Sequence, residues 1–148
     1  MTVLDACALI AFLRDEPGAV AVEERLREAG DHACISSVNL VEVVDRLIRV
    51  YGHPEQEVSE TMDWLMAGGL LFMPTDGDMG RLAGELRARH YRRRDSDLSL
   101  ADCMTLSTAI SLGRPLATSD PALAAAARKE GVDVLALPDS RGQTPVPS

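Results

Sequence analysis

The chain has 148 residues, 46% of them hydrophobic and 26% charged, as expected of one globular domain with room for a proper core. Its net charge of −8 argues against broad electrostatic binding of nucleic acid, and its 3% aromatic content speaks against folds that stack bases on exposed rings. No apolar run approaches the roughly 20 residues of a membrane span. The apolar opening is a poor signal peptide, since no basic segment precedes it and Asp5 interrupts it. The cytoplasm is therefore the expected compartment.

In chain order, "TVLD" reads as a short buried strand and "ACALIAFLRDEPGA" as a helix stopped by Pro17-Gly18. "AVAVEERLREAG" is an amphipathic helix ending at Gly30, and "HACIS" a second strand. "SVNLVEVVDRLIRVYG" is a helix with Ser36 or Ser37 as cap and Gly52 as stop. "PEQEVSETMDWLMAGG" opens with proline and first-turn acids and closes on a glycine pair, which makes it another helix. "LLFMP" is a third strand, "GDMGRLAGELRARH" a helix, and "SLADCMTLSTAISLG" a helix that is apolar almost all round. "RPLATSD" is a fourth strand, "PALAAAARKEG" a short helix and "VDVLALP" a fifth strand. Residues 1–138 form one domain in this reading, and the tail 139–148 reads as disordered. Short apolar strands alternating with helices predict an α/β fold, a parallel sheet covered on both faces.

The cysteines, Cys7, Cys34 and Cys103, are odd in number and far apart, with no zinc-like spacing. They read as small buried hydrophobes in a reducing compartment. Positive charge is concentrated in "ELRARHYRRRD", where Arg87, Arg89, Arg92, Arg93 and Arg94 stand close together. Planar guanidinium groups match phosphate. Contact with nucleic acid and a merely solvated helix end are equally good readings of that stretch.

Ligands of open parallel sheets bind outside the carboxyl ends of the strands. Asp5 and Asp120 stand just after the first and fourth strands, although each also suits a helix cap, Asp120 with proline following. Asp102 is the only charge in its buried helix and can form a capping box with Ser99. Glu42 suits an i,i+4 pair with Arg46. Taken together, three or four carboxylates with no nearby lysine or histidine suit Mg²⁺ or Mn²⁺. Such ions activate water for displacement at phosphorus.

These residues resemble the PIN-domain ribonucleases, and most closely the VapC-type toxins of bacterial toxin–antitoxin pairs. The resemblance is carried by "TVLDACALIAFLRDEPGA", "ISSVNLVEVVDRL" and "LSLADCMTLSTAISLGRPLATSD", whose order and spacing are more specific than any one block. It implies a PIN-like three-layer α/β/α fold with a mostly parallel sheet of about five strands. It maps the family's acids onto Asp5, Glu42, Asp102 and Asp120. Asp5, Asp102 and Asp120 would hold Mg²⁺ (or Mn²⁺), while Glu42 would hold metal or orient water. The activity implied is endonucleolytic hydrolysis of RNA, commonly tRNA or ribosomal RNA, by a homodimer neutralised by a small antitoxin. Thr118 and Ser119 are candidates for contact with the carboxylates or the substrate, and Arg92 and Arg93 for flanking phosphates. Asp97 is an outside candidate. The chain departs from the pattern at Cys7, where the family usually has a hydroxyl residue, and at Pro121, where it often has a basic one.

Two other readings compete. A non-catalytic binding module would keep the acids only as caps. A phosphoacceptor domain would want a lysine near a late strand, yet the single lysine, Lys129, lies in the last helix. Trp64 and Leu65 are candidate anchors for an amphipathic partner helix, although plain core is the favoured reading of Trp64.

Overall fold

The computed structural model describes residues 1–27, 32–92 and 97–146, apart from the Arg25 side chain. The chain alternates strand and helix as its apolar blocks predict. β1 (Thr2–Leu4) leads into α1 (Ala6–Leu13) and α2 (Ala19–Arg27), then β2 (Ala33–Ser36) into α3 (Ser37–Asp45). A π-helical turn at Arg46–Val50, α4 (Glu55–Ala67), β3 (Leu71–Met73) and α5 (Gly77–His90) follow. α6 (Leu100–Leu112), β4 (Leu116–Thr118), α7 (Pro121–Lys129) and β5 (Val134–Ala136) complete the order.

All pairings are parallel, in the order β3-β2-β1-β4-β5. The strands are short, and successive side chains enter opposite cores, as a pleated strand requires. Leu4, Ile35 and Ala117 join α1, α2, α3 and α4 on one face. Val3, Cys34 and Leu116 join α5, α6 and α7 on the other. The result is the three-layer α/β/α architecture with an all-parallel sheet of five strands. Truncating a fully buried residue such as Leu9 or Leu106 to alanine costs about 2–5 kcal/mol in a core packed this way.

Strand order reverses direction at β1. The chain moves outward through β2 and β3, then returns to lay β4 against the other side of β1. Val3 pairs with Leu116 and Leu4 with Ala117, so the carboxyl ends of β1 and β4 open side by side at a switch point.

Three local departures from the sequence reading have physical causes. α1 stops at Leu13, before Pro17-Gly18, because Asp15 takes a left-handed conformation at φ 54° and breaks the helix. The helix beginning at Ser37 widens after Asp45, where the Tyr51 N–H reaches back five residues to the Arg46 carbonyl at 3.0 Å. This turn brings the Arg46 guanidinium to the Tyr51 hydroxyl, 3.3 Å away. Trp64 is not core: Leu65 is buried, whereas Trp64 is 61% exposed and stacks on Phe12 of α1 with ring centroids 6.5 Å apart. In the tail, Asp139 Oδ1 accepts the Arg141 and Gln143 N–H groups, and Pro145 is buried. Among the described residues no helix is long and apolar enough to cross a membrane.

Candidate active site

Asp5 is 3% exposed and caps α1, but it does far more than cap. Its Oδ1 accepts the Ala6 N–H at 2.7 Å and the Asn39 side-chain amide at 3.2 Å. Its Oδ2 accepts the Thr118 hydroxyl and the Cys7 thiol, each at 2.9 Å. Four donors from α1, α3 and β4 thus fill the four lone-pair positions of one carboxylate. Burial still dominates, lifting Asp5 from its ordinary 3.8 to about 6, with the nearby Asp102 charge adding to the rise against these hydrogen bonds.

The donors are themselves fixed. Ser36, the cap of α3, accepts the Asn39 N–H at 3.1 Å and donates its hydroxyl to Asn39 Oδ1 at 2.6 Å. With its oxygen occupied, the Asn39 amide must present NH₂ to Asp5. Thr118 also accepts the Asp120 N–H at 3.0 Å, so one hydroxyl ties the two strand-end aspartates together. Cys7 accepts the Ser119 N–H at 3.4 Å. Burial and the adjacent Asp5 push its thiol up to about 12, so it remains an S–H donor at neutral pH. Cys34 and Cys103 are buried hydrophobes, as expected, but Cys7 is part of the polar network.

Asp102 and Asp120 are the acids next to Asp5, and Glu42 stands next to those two. Asp120 caps α7, with Oδ1 accepting the Leu123 N–H at 2.9 Å and Pro121 in the first turn. Asp102 closes a capping box: its Oδ2 accepts the Ser99 N–H at 2.6 Å, and the Ser99 hydroxyl accepts the Asp102 N–H at 3.0 Å. Glu42 lies on the same stretch of α3 as Asn39 and pairs with Arg46 at 3.7 Å. Burial raises Asp102, with repulsion from Asp120 and Asp97 acting the same way. Burial raises Glu42 too, reinforced by the Asp102, Asp120 and Asp45 charges and opposed by Arg46. Asp5, Glu42 and Asp102 therefore each feel at least one of the other acids.

The other candidates fall on either side. Ser119 offers its backbone N–H to Cys7. Arg92 is exposed, bonds the Tyr91 carbonyl and lines a cleft with Asp97 and Asp120. Arg93 lies outside the described residues.

The family model of the PIN domain matches residues 2–129. The chain belongs to the PIN domain family. FitAcB from Neisseria gonorrhoeae shares the fold at 22% identity and a TM-score of 0.63, over 90% of this chain and 96% of that one. A toxin–antitoxin complex from Klebsiella pneumoniae matches at 21% identity and 0.60, over 84% and 91%. VapC20 of Mycobacterium tuberculosis, described as a sarcin–ricin loop cleaving toxin, matches at 14% identity and 0.65, over 85% and 95%. No curated protein sequence matches the chain.

The carboxyl end of this PIN domain's sheet is thus a set of crowded acids with one adjacent arginine. Among the described residues, no three His, Cys, Asp or Glu side chains stand arranged to hold a metal ion as they are. The donor chemistry nevertheless fits a hard divalent cation. All the donors are oxygens, their repulsion calls for positive charge, and Asp102 Oδ1 and Asp120 Oδ2 have no protein partner among the described residues. Asp5 has no spare lone pair until Cys7 or Thr118 turns its hydrogen away, which thiol and hydroxyl rotors do readily.

Asn39 is the residue that sequence reasoning passed over. Its partner is 34 positions away, and the only local signal is the Ser36-x-x-Asn39 spacing after a strand.

Proposed function

We propose that this PIN domain is a Mg²⁺- or Mn²⁺-dependent endoribonuclease, the toxin of a toxin–antitoxin pair, hydrolysing phosphodiester bonds of RNA such as tRNA or ribosomal RNA. The observation that carries the reading is a chain of four carboxylates at the β1/β4 switch point, in which Asp102 repels Asp5 and Glu42, and Asp120 repels Asp102 and Glu42. Asp5, Asp102 and Asp120 hold the divalent ion, and Glu42 completes the set or orients the attacking water. The bound ion supplies charge neutralisation at phosphate and a more acidic water. The water oxygen attacks phosphorus in line, its proton passes to Glu42, and the P–O bond to the leaving oxygen breaks with protonation from solvent. Burial favours this proton transfer by making Glu42 a stronger base than an exposed glutamate. Thr118 keeps Asp5 and Asp120 in register, while Ser119, Arg92 and Arg93 are offered as substrate contacts.

The likeness to the Klebsiella toxin–antitoxin complex supports an antitoxin partner, and a homodimer working in the cytoplasm is part of the same proposal. The exposed Trp64 is the anchor proposed for an amphipathic antitoxin segment. A second reading has its own observation. Asp5, Asp102 and Asp120 each cap a helix, which a non-catalytic module would also need. Glu42 distinguishes the two, since it caps nothing and is still held among the other acids.

Purified chain incubated with total RNA, in Mg²⁺, in Mn²⁺ and in chelator, beside Glu42→Gln, tests the proposal. Discrete metal-dependent fragments from the parent alone are expected. Absence of cleavage by folded, partner-free protein on every RNA offered favours the non-catalytic module.

A further inference from the structure

A cleft of about 570 Å³ runs beside the carboxylates, between the end of α5 and the outer face of α7. Asp120 lies on its lining with Asp97, and so do Arg89, Arg92 and Lys129, giving, among the described residues, three fixed cations to two acids in a chain whose net charge is −8. Lys129 is the only lysine, is exposed, and has no ion-pair partner among the described residues. Arg89 is held in place but not used up: Nη1 bonds both oxygens of Glu130 at 2.9 Å, while Nε and Nη2 have no partner among the described residues. Glu130 is also bonded to His90 Nε2 and so anchors this edge of the cleft. Ala122, Ala125 and Ala126 line the helix side, where no long side chain stands between Asp120 and Lys129.

We propose that this cleft is a subsite for the sugar–phosphate backbone of single-stranded RNA, leading the strand away from the carboxylates. Lys129, Arg92 and the free edge of Arg89 take phosphates beyond the one that is cleaved. The assignment rests on the nuclease reading above for the identity of the strand. Along α7, Lys129 is about 13 Å from Asp120 at ~1.5 Å per residue, farther than adjacent phosphates lie in a polynucleotide. It therefore addresses a different nucleotide from the reacting one. Among the described residues no Phe, Tyr or Trp lines the cleft, His90 is bonded to Glu130, and the cations dominate the lining, so the contact is assigned to the backbone. An acidic cleavage site on an acidic protein needs such a cationic track, because the carboxylates alone repel the substrate.

The test uses the full chain in a Glu42→Gln background, which removes cleavage. Binding of fluorescein-labelled oligouridylate and oligoadenylate of equal length is followed by anisotropy across a salt series. Lys129→Ala and Arg92→Ala should each weaken both oligonucleotides alike, by about three- to tenfold, and lower the log–log salt slope by about 0.7. With Glu42 restored, Lys129→Ala should hydrolyse bis(p-nitrophenyl) phosphate in Mn²⁺ as the parent does, since that substrate is too small to reach Lys129. Unchanged affinity and slope in folded Lys129→Ala and Lys129→Glu overturn the subsite, even where the parent cleaves RNA. A loss confined to one base overturns the backbone assignment. A Lys129→Glu chain that binds RNA normally but releases its protein partner overturns it in favour of that partner. A parent that binds RNA through Lys129 yet hydrolyses nothing leaves the subsite standing and defeats the nuclease reading alone.

Discussion

The ends of β1 and β4 lie side by side and each delivers an aspartate that caps a helix, yet the two surroundings differ. Asp5 is buried under four donors and still lifted to about 6. Asp120 is half-buried and accepts one backbone N–H through Oδ1, with Oδ2 turned to no protein donor among the described residues. Identical side chains in identical cap positions therefore do different work. Asp5 is a carboxylate whose acceptor positions are all taken, held at the cost of its own ionisation, whereas Asp120 keeps one oxygen open for the proposed ion. Capping explains where an aspartate sits, and the neighbouring donors decide what it is for.

The sharpest way to break this contrast is Asp120→Asn. Asparagine caps helices about as well as aspartate, so unfolding free energy should move by less than about 0.5 kcal/mol. RNA cleavage should fall by a factor on the order of 10³, about 4 kcal/mol of barrier, because a charged ligand is lost. Activity that survives in the folded variant would remove Asp120 from the site.

Asp5→Asn should behave in the opposite way on stability. The folded chain holds Asp5 protonated up to about pH 6, whereas the unfolded carboxyl loses its proton near 3.8. Its contribution to stability is present below about pH 4 and lost as pH rises through 6, at most about 3 kcal/mol. The asparagine fits, since its oxygen accepts from Ala6 and Asn39 while Cys7 and Thr118 rotate to receive its NH₂. Chemical denaturation without divalent ions should show the variant gaining on the parent between pH 4 and 8. A difference independent of pH would show that Asp5 is not the titrating group.

Smaller effects probe the supports. Cys7→Ala strips one donor from Asp5 and the acceptor of the Ser119 N–H, and should cost about 1–2 kcal/mol in urea unfolding. Cys7→Ser should restore most of it. Arg46→Met should change stability by no more than about 0.5 kcal/mol, since the pair with Glu42 is over a third exposed. The same change should move the Glu42 limb of the pH–rate profile upward, because the one opposing charge is gone.

Much of this was legible in the residues. Alternating apolar blocks gave the layered parallel fold, and turn residues after "TVL" and "LAT" marked the strand ends where Asp5 and Asp120 lie. Ser99 and Asp102 announced their capping box by spacing alone. What stayed hidden was long-range or geometric. Asn39 reads as one more residue of an amphipathic helix until β1 is laid beside it. Cys7 reads as a hydrophobe because, Asp5 apart, its partners Thr118 and Ser119 are more than a hundred residues away. The π-helical turn that swings Arg46 toward Tyr51 has no periodic signature, and the exposure of Trp64 depends on which face of α4 meets α1.

That last feature gives the molecule an optical label of its own. Trp64 is the single tryptophan, more than half in water and stacked on Phe12, which lies about 10 Å along α1 from Asp5. Its emission reads the α1/α4 face and no other part of the chain. A protein seated there would shift the spectrum to the blue, while a cation or nucleotide arriving at the carboxylates would leave it unmoved, so the two kinds of binding can be followed separately in an unmodified sample.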